Sequence, residues 1–180
     1  MKTGYAFAAA AALLLAAPSA SFAESAATTN SASASASAKS FLTDAIKGDA
    51  SEIKLGELAQ KNGGSTGVKD FGKTLVTDHT KAAQQAKATA EQVGVDAPEE
   101  PTSDAQKEYD KLAKMKGADF DKEFVSHMVN DHKKDIATFQ KQADAKSGPV
   151  SQLAQQQLPT LQKHLRMAES LQKKQQASAP

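Results

Sequence analysis

The chain has 180 residues, with 22 Lys+Arg against 21 Asp+Glu, no Cys, no Trp and ten Gly. That length suits one domain. The formal charge of +1 gives no electrostatic footing for nucleic-acid or membrane-surface binding. Without Cys there is no disulfide, thiolate metal site or Cys nucleophile. Aromatics at 5% are too few for a sugar- or base-stacking platform. Abundant Ala, Lys, Gln, Glu and Asp, with few β-branched residues, favour helix over a sandwich or barrel.

Residues 1–23, MKTGYAFAAAAALLLAAPSASFA, place one Lys before an apolar run from Tyr5 to Ala17, closed by Pro18 and a small-x-small site at Ser21-Phe22-Ala23. This is the pattern of a secretory signal peptide, with cleavage expected after Ala23. The run falls short of the roughly 20 residues that span a bilayer. A periplasmic location follows as the expectation. Residues 24–38, ESAATTNSASASASA, have no apolar periodicity and predict a disordered Ser/Ala linker. The folded domain is expected over 39–172, with 173–180 as a frayed polar tail.

Four long amphipathic helices are predicted within that domain. The first runs over 40–61, capped by Ser40 and ended by Asn62-Gly63-Gly64. The second starts at Ser65 or Thr66 and carries Val68, Phe71, Leu75, Val76, Ala82, Ala83, Ala86, Ala90 and Val93 on one stripe. Residues 94–102 contain Pro98 and Pro101 and cannot be regular helix. Ser103 with Gln106 has a capping-box pattern and opens a short helix that Gly117 stops. The third long helix spans about 119–146, and a fourth follows Ser147-Gly148-Pro149. Together they predict an all-α four-helix bundle, with an extra short helix in the connection between helices 2 and 3. That connection is long enough to be a crossover. Pro159 falls inside the fourth helix, as a kink or as a break between two pieces. Gly48 and Gly56 in the first helix suggest a close helix approach or room beside Glu52.

Two helices share a repeat. Lys69-Asp70-Phe71 through Lys81 matches Lys122-Glu123-Phe124 through Lys134 as K-[DE]-F-x3-[LM]-V-x-D-H-x-K, at a constant offset of 53. Each copy sets an Asp-His pair at mid-helix: Asp78-His79 and Asp131-His132. His79, His132 and His164 each fall on an apolar stripe, and Glu52 lies on a plausible inward line of the first helix. All four sit about mid-way along their helices, so they can share one layer. Burying a carboxylate with three imidazoles is costly unless they are paired or hold a metal. The set Glu52, His79, His132 and His164 therefore predicts one divalent transition metal: zinc, copper, iron or manganese. Asp78 and Asp131 point about 100° away, either as partners of a histidine on an adjacent helix or as solvated charges. Asp135, Glu123 and His127 are weaker candidates.

The alternative is a buried His/Glu polar network in a non-enzymatic structural or interaction module. An oxidase-like di-iron enzyme is disfavoured, because such bundles use Glu-x-x-His on two helices and this sequence has no such motif. No nucleophile elbow or phosphate loop is present, so no catalytic residue is assigned, and the sequence leans against an enzyme without deciding it.

The segments 50–59 (ASEIKLGELA), Val76-Thr77-Asp78-His79, 117–121 (GADFD), Val129-Asn130-Asp131-His132 and 158–165 (LPTLQKHL) resemble an uncharacterised bacterial domain-of-unknown-function family. Its members are exported and often labelled membrane or outer-membrane proteins. The resemblance covers Phe41–Leu171 and implies a ferritin-like four-helix bundle and an envelope location. It implies no reaction.

Overall fold

The structure is a computed structural model that describes residues 23–96, 100–146 and 148–177, with side chains from residue 36 onward. The signal-peptide segment, Pro98 and Ser147 lie outside the described residues. The chain divides into a unit of residues 1–34 and a compact unit of 35–180, and the bundle described here is the second.

Five helices are described: α1 (Ala23–Asn62), α2 (Thr66–Gln92), α3 (Ser103–Leu112), α4 (Gly117–Asp144) and α5 (Gly148–Ala177). Ser65 caps α2 by accepting from the Val68 N–H, as its sequence position predicts. The short helix is capped by Thr102 rather than Ser103, through the Ala105 N–H. Gly117 does not close that helix but opens α4 with φ 64°, a left-handed value that suits glycine.

Three expectations change. The linker predicted over 24–38 is helical, because α1 starts at Ala23. Ala is the best helix former, and a helix nucleated by the packed part of α1 extends backwards without a new nucleus. Ser40 is consequently inside α1 rather than at its cap. The tail predicted to fray from 173 is helical to Ala177, and α5 continues through Pro159, which removes the break from the two readings of that proline and leaves the kink.

Packing fixes the topology. Phe41 near the start of the packed part of α1 meets Phe139 near the end of α4, ring centroids 4.8 Å apart. Gly63, just past α1, bridges Gly117 at the start of α4. So α1 and α4 are antiparallel. Gly56 of α1 and Gly72 of α2 are in near backbone contact, and α5 packs on both α2 and α4. The order around the bundle is α1, α2, α5, α4. Neighbours are antiparallel, and the diagonal pair α2 and α4 is parallel. The segment holding α3 is therefore a crossover, returning the chain to the end where α2 began. This is a ferritin-like four-helix bundle with the extra short helix in the expected connection.

Asp121 locks that end. Its two carboxylate oxygens accept from the Gly64 and Ser65 N–H groups at 2.8 and 2.8 Å, tying the α1–α2 turn to α4. Asn62 Nδ2 adds a hydrogen bond to the Met115 carbonyl at 3.0 Å.

The apolar core forms two clusters. One holds Leu55, Phe71, Leu75, Phe120, Phe124, Met128 and Ala168. The other holds Phe41, Leu42, Ile46, Ala86, Phe139, Leu153 and Leu161. Along each long helix the boundary between them falls on a polar residue: Glu52, His79, His132 or His164.

Candidate metal centre

The four residues singled out in the sequence converge in that boundary layer. Glu52, His79, His132 and His164 are all buried, and one ligand-type atom from each lies within 4.8 Å of the others. His132 and His164 are 0% exposed and Glu52 1%. Each comes from a different helix, at a position where the apolar spacing already turns the side chain inward.

The hydrogen bonds around the histidines run outward. His79 Nδ1–H donates to Asp49 Oδ1 at 2.8 Å. His132 Nδ1–H donates to the Met128 carbonyl at 3.1 Å. His164 Nε2–H donates to Asp78 Oδ2 at 2.8 Å. These acceptors fix the tautomers and leave His79 Nε2, His132 Nε2 and His164 Nδ1 pointing into the cluster. There, His132 Nε2 and His164 Nδ1 are 3.3 Å apart, and His79 Nε2 is 2.5 Å from Glu52 Oε2. Glu52 Oε1 lies 3.4 Å from His132 Nδ1. With His79 neutral, both Glu52 oxygens and His79 Nε2 are buried without a hydrogen bond; with His79 protonated, Nε2 and Glu52 Oε2 form a buried ion pair.

Asp78 and Asp131 part company here. Asp78 is the partner of an adjacent helix's histidine, and it also accepts from Lys163 Nζ at 2.6 Å. Asp131 instead groups with Glu52 and Asp135. Asp49, three residues before Glu52 on the same inward line, is the partner of His79, a contact to which the sequence analysis assigned no role.

The electrostatics follow the geometry. Burial works against the Glu52 carboxylate, but the charges of His132 and His79 outweigh it and hold its pKa at about 2. Burial likewise opposes a charged His79, yet Glu52 and the Asp49 hydrogen bond push its pKa well above the usual value. His164 goes the other way, to about 4, because burial and the charge of His79 both disfavour its protonation. Burial raises Asp49 in spite of its bond to His79. Burial would also raise Asp78, but hydrogen bonds from Lys163 and His164 hold it below its usual value. Asp135 is pushed up to about 8 by burial and then by the charges of Glu52 and Asp131.

A cavity of about 280 Å³ opens beside the cluster, with Asp44, Asp49, Glu52, Asp78, His79 and Asp135 in its wall. It is an approach of mixed character to an otherwise enclosed layer, with Phe41, Phe139 and Leu161 also in its wall.

In comparison with known proteins, no curated protein matches this chain. Among solved structures, the chain is similar to a DUF305 fragment from Deinococcus radiodurans, with a TM-score of 0.67 and 16% identity, over 77% of this chain and 96% of that one. At that identity the likeness speaks for the fold. The family model described as a domain of unknown function, DUF4142, matches residues 23–171. The chain belongs to that DUF4142 family.

Proposed function

We propose that the protein binds one divalent transition metal in the bundle core, through Glu52, His79, His132 and His164. The observation that carries this reading is the orientation of the three imidazoles. Every outward nitrogen has an acceptor, and every inward nitrogen faces another inward nitrogen or the buried Glu52 carboxylate, where a metal would take the place of the proton on His79. Metal-bound histidines have this arrangement, with the second nitrogen tied to a carboxylate or carbonyl that fixes the ring. Three imidazoles and a carboxylate suit zinc, copper, iron or manganese. Tetrahedral bonds of about 2.0–2.2 Å place ligand atoms roughly 3.3–3.6 Å apart, and the His132–His164 nitrogen pair is at 3.3 Å.

The second reading, a buried polar network without metal, has its own support: the Glu52 charge favours a proton on His79. A protonated His79 satisfies one side of Glu52 only. It does not reach the facing nitrogens of His132 and His164, whereas one dication serves all four groups. Export to the periplasm through the N-terminal segment, with a role in metal buffering or stress protection, completes the proposal.

Metal analysis of untagged protein should find at least about one equivalent of metal. Adding zinc to chelated protein at 100 times Kd should stabilise it by about 2.7 kcal/mol, or about 5–11 °C in Tm for a domain of this size. His79→Ala and His132→Ala should abolish the shift. Absence of stoichiometric metal, together with a Tm that none of the four metals moves, rejects the metal site in favour of the polar network. Fractionation of cells producing the full chain tests the location, and a cytoplasmic, uncleaved product refutes it.

A further inference from the structure

Glu52 has a second set of neighbours. One oxygen each from Glu52, Asp131 and Asp135 lies within 4.8 Å of the others. Asp131 and Asp135 are one turn apart on α4 and share a face, and that face looks onto α1 at the level of Glu52. Both are partly buried. Glu52 is 1% exposed, and its only close partners are the imidazoles of His79 and His132, with no donor among the described residues on the side of the two aspartates. Three carboxylates drawn together away from water repel one another, and such a group is stable only with a cation or bound protons among it. Asp135 also faces the cavity, whose wall carries Asp44, Asp49 and Asp78 against Lys81, with Asp49 paired to His79 and Asp78 to Lys163 and His164.

We propose that Glu52, Asp131 and Asp135 form a second cation site, so that the Glu52 carboxylate bridges two metal ions. The two sites differ in chemistry. The histidine site is nitrogen-rich. The second offers only carboxylate oxygen and selects a hard divalent cation such as Mn(II), with water in its remaining positions. One shared carboxylate holds two ions roughly 3.5–4 Å apart. Bridging rests on the histidine site being a metal site, because Glu52 is common to both.

The test uses the full chain, untagged and stripped of metal, loaded with one equivalent of Zn(II) and then with Mn(II). Ions are counted by native mass spectrometry. A second sample, loaded with Mn(II) alone, is read by electron paramagnetic resonance. The wild type should hold one zinc and one manganese, and manganese alone should give the spectrum of an exchange-coupled pair. Asp135→Asn should keep the zinc and lose the second ion and the coupling. His164→Ala should lose the zinc. One zinc and no manganese in the wild type, unchanged by Asp135→Asn, overturns the second site and leaves the histidine site standing. Manganese without zinc, lost on Asp135→Asn but kept in His164→Ala, overturns the histidine site and with it the bridge. Two ions with no magnetic coupling overturns the shared carboxylate.

Discussion

Two glycines on α1 make opposite predictions from one substitution. A Cβ on Gly56 would sit 2.7 Å from the Gly72 carbonyl oxygen and 3.0 Å from Val76 Cγ2. The reciprocal Cβ on Gly72 would sit 2.6 Å from the Gly56 carbonyl. Backbone cannot rotate away as a side chain can, so α1 and α2 must part by about 0.7 Å to reach ordinary contact at 3.4 Å. Gly48, two turns earlier, would place its Cβ with nothing within 4 Å. Replacing either glycine by Ala gains about 1 kcal/mol in helix propensity. At Gly48 that gain stands alone. At Gly56 it is outweighed by overpacking of about 1–3 kcal/mol and by strain on the buried Asp49–His79 bond, which joins the same two helices. Urea denaturation of metal-free protein should thus find Gly48→Ala stabilised by about 0.5–1 kcal/mol and Gly56→Ala destabilised by about 1–2 kcal/mol. The effect should reach the metal. Glu52 lies one turn from Gly56, and metal ligands tolerate only about 0.2 Å of misplacement, so zinc affinity in Gly56→Ala should fall at least about tenfold. Gly56→Ala that is as stable as wild type and binds zinc equally well would refute the close-packed α1–α2 contact as the element that sets the site.

Two further substitutions probe the bundle end and the carboxylate group. Asp121→Ala removes the acceptor of two backbone N–H groups, and a cost of about 3 kcal/mol or more is expected. Faster hydrogen exchange at Gly64 and Ser65 should accompany it, and a loss under about 1 kcal/mol would contradict the assigned role. Asp135→Asn in chelated protein tests the crowding around Glu52. A carboxyl whose folded pKa is about 8 against 3.8 unfolded destabilises the native state increasingly as pH rises from about 4 to 8. The variant should therefore be more stable than wild type by about 2–4 kcal/mol at pH 7, with the difference vanishing near pH 4. Denaturation at the two pH values measures it, and a gap that does not change with pH refutes it.

The bundle was legible because its signals are local and redundant. Helical spacing, Asn62-Gly63-Gly64 and the proline-bearing 94–102 segment mark the elements. The mid-helix rank of Glu52, His79, His132 and His164 then places them in one layer, since antiparallel neighbours of similar length align their centres. Other features are not written locally. Nothing in residues 24–38 announces a helix, for a polar Ser/Ala tract has no stripe to read, and its helicity is an extension of α1. Asp121 looks like an ordinary first-turn acid until tertiary structure brings the α1–α2 turn to it. Asp49 and Asp78 could be assigned to His79 and His164 only once it was settled which helices are neighbours. The order α1, α2, α5, α4 depends on the long crossover, whose course is not a property of any one segment.

That order also explains why one repeated motif does two different things. The parallel diagonal helices α2 and α4 are exchanged by a half-turn about the bundle axis, which also exchanges α5 with α1. Under that exchange His79 maps to His132, Asp78 to Asp131 and His164 to Glu52. Asp78 therefore looks toward α5 and finds His164, a donor it can accept from. Asp131, with the same local sequence, looks toward α1 and finds Glu52, another acceptor. The same mapping carries Asp49, three residues before Glu52, to Leu161, three before His164. His79 thus has a carboxylate for its Nδ1 at 2.8 Å, while His132 Nδ1 finds none on α5 and donates to the Met128 carbonyl of its own helix, with Glu52 Oε1 farther off at 3.4 Å. The symmetric motif meets an asymmetric pair of partner helices. On the α5 side the acids and histidines pair off. On the α1 side carboxylates accumulate, and a second cation is the charge that would balance them.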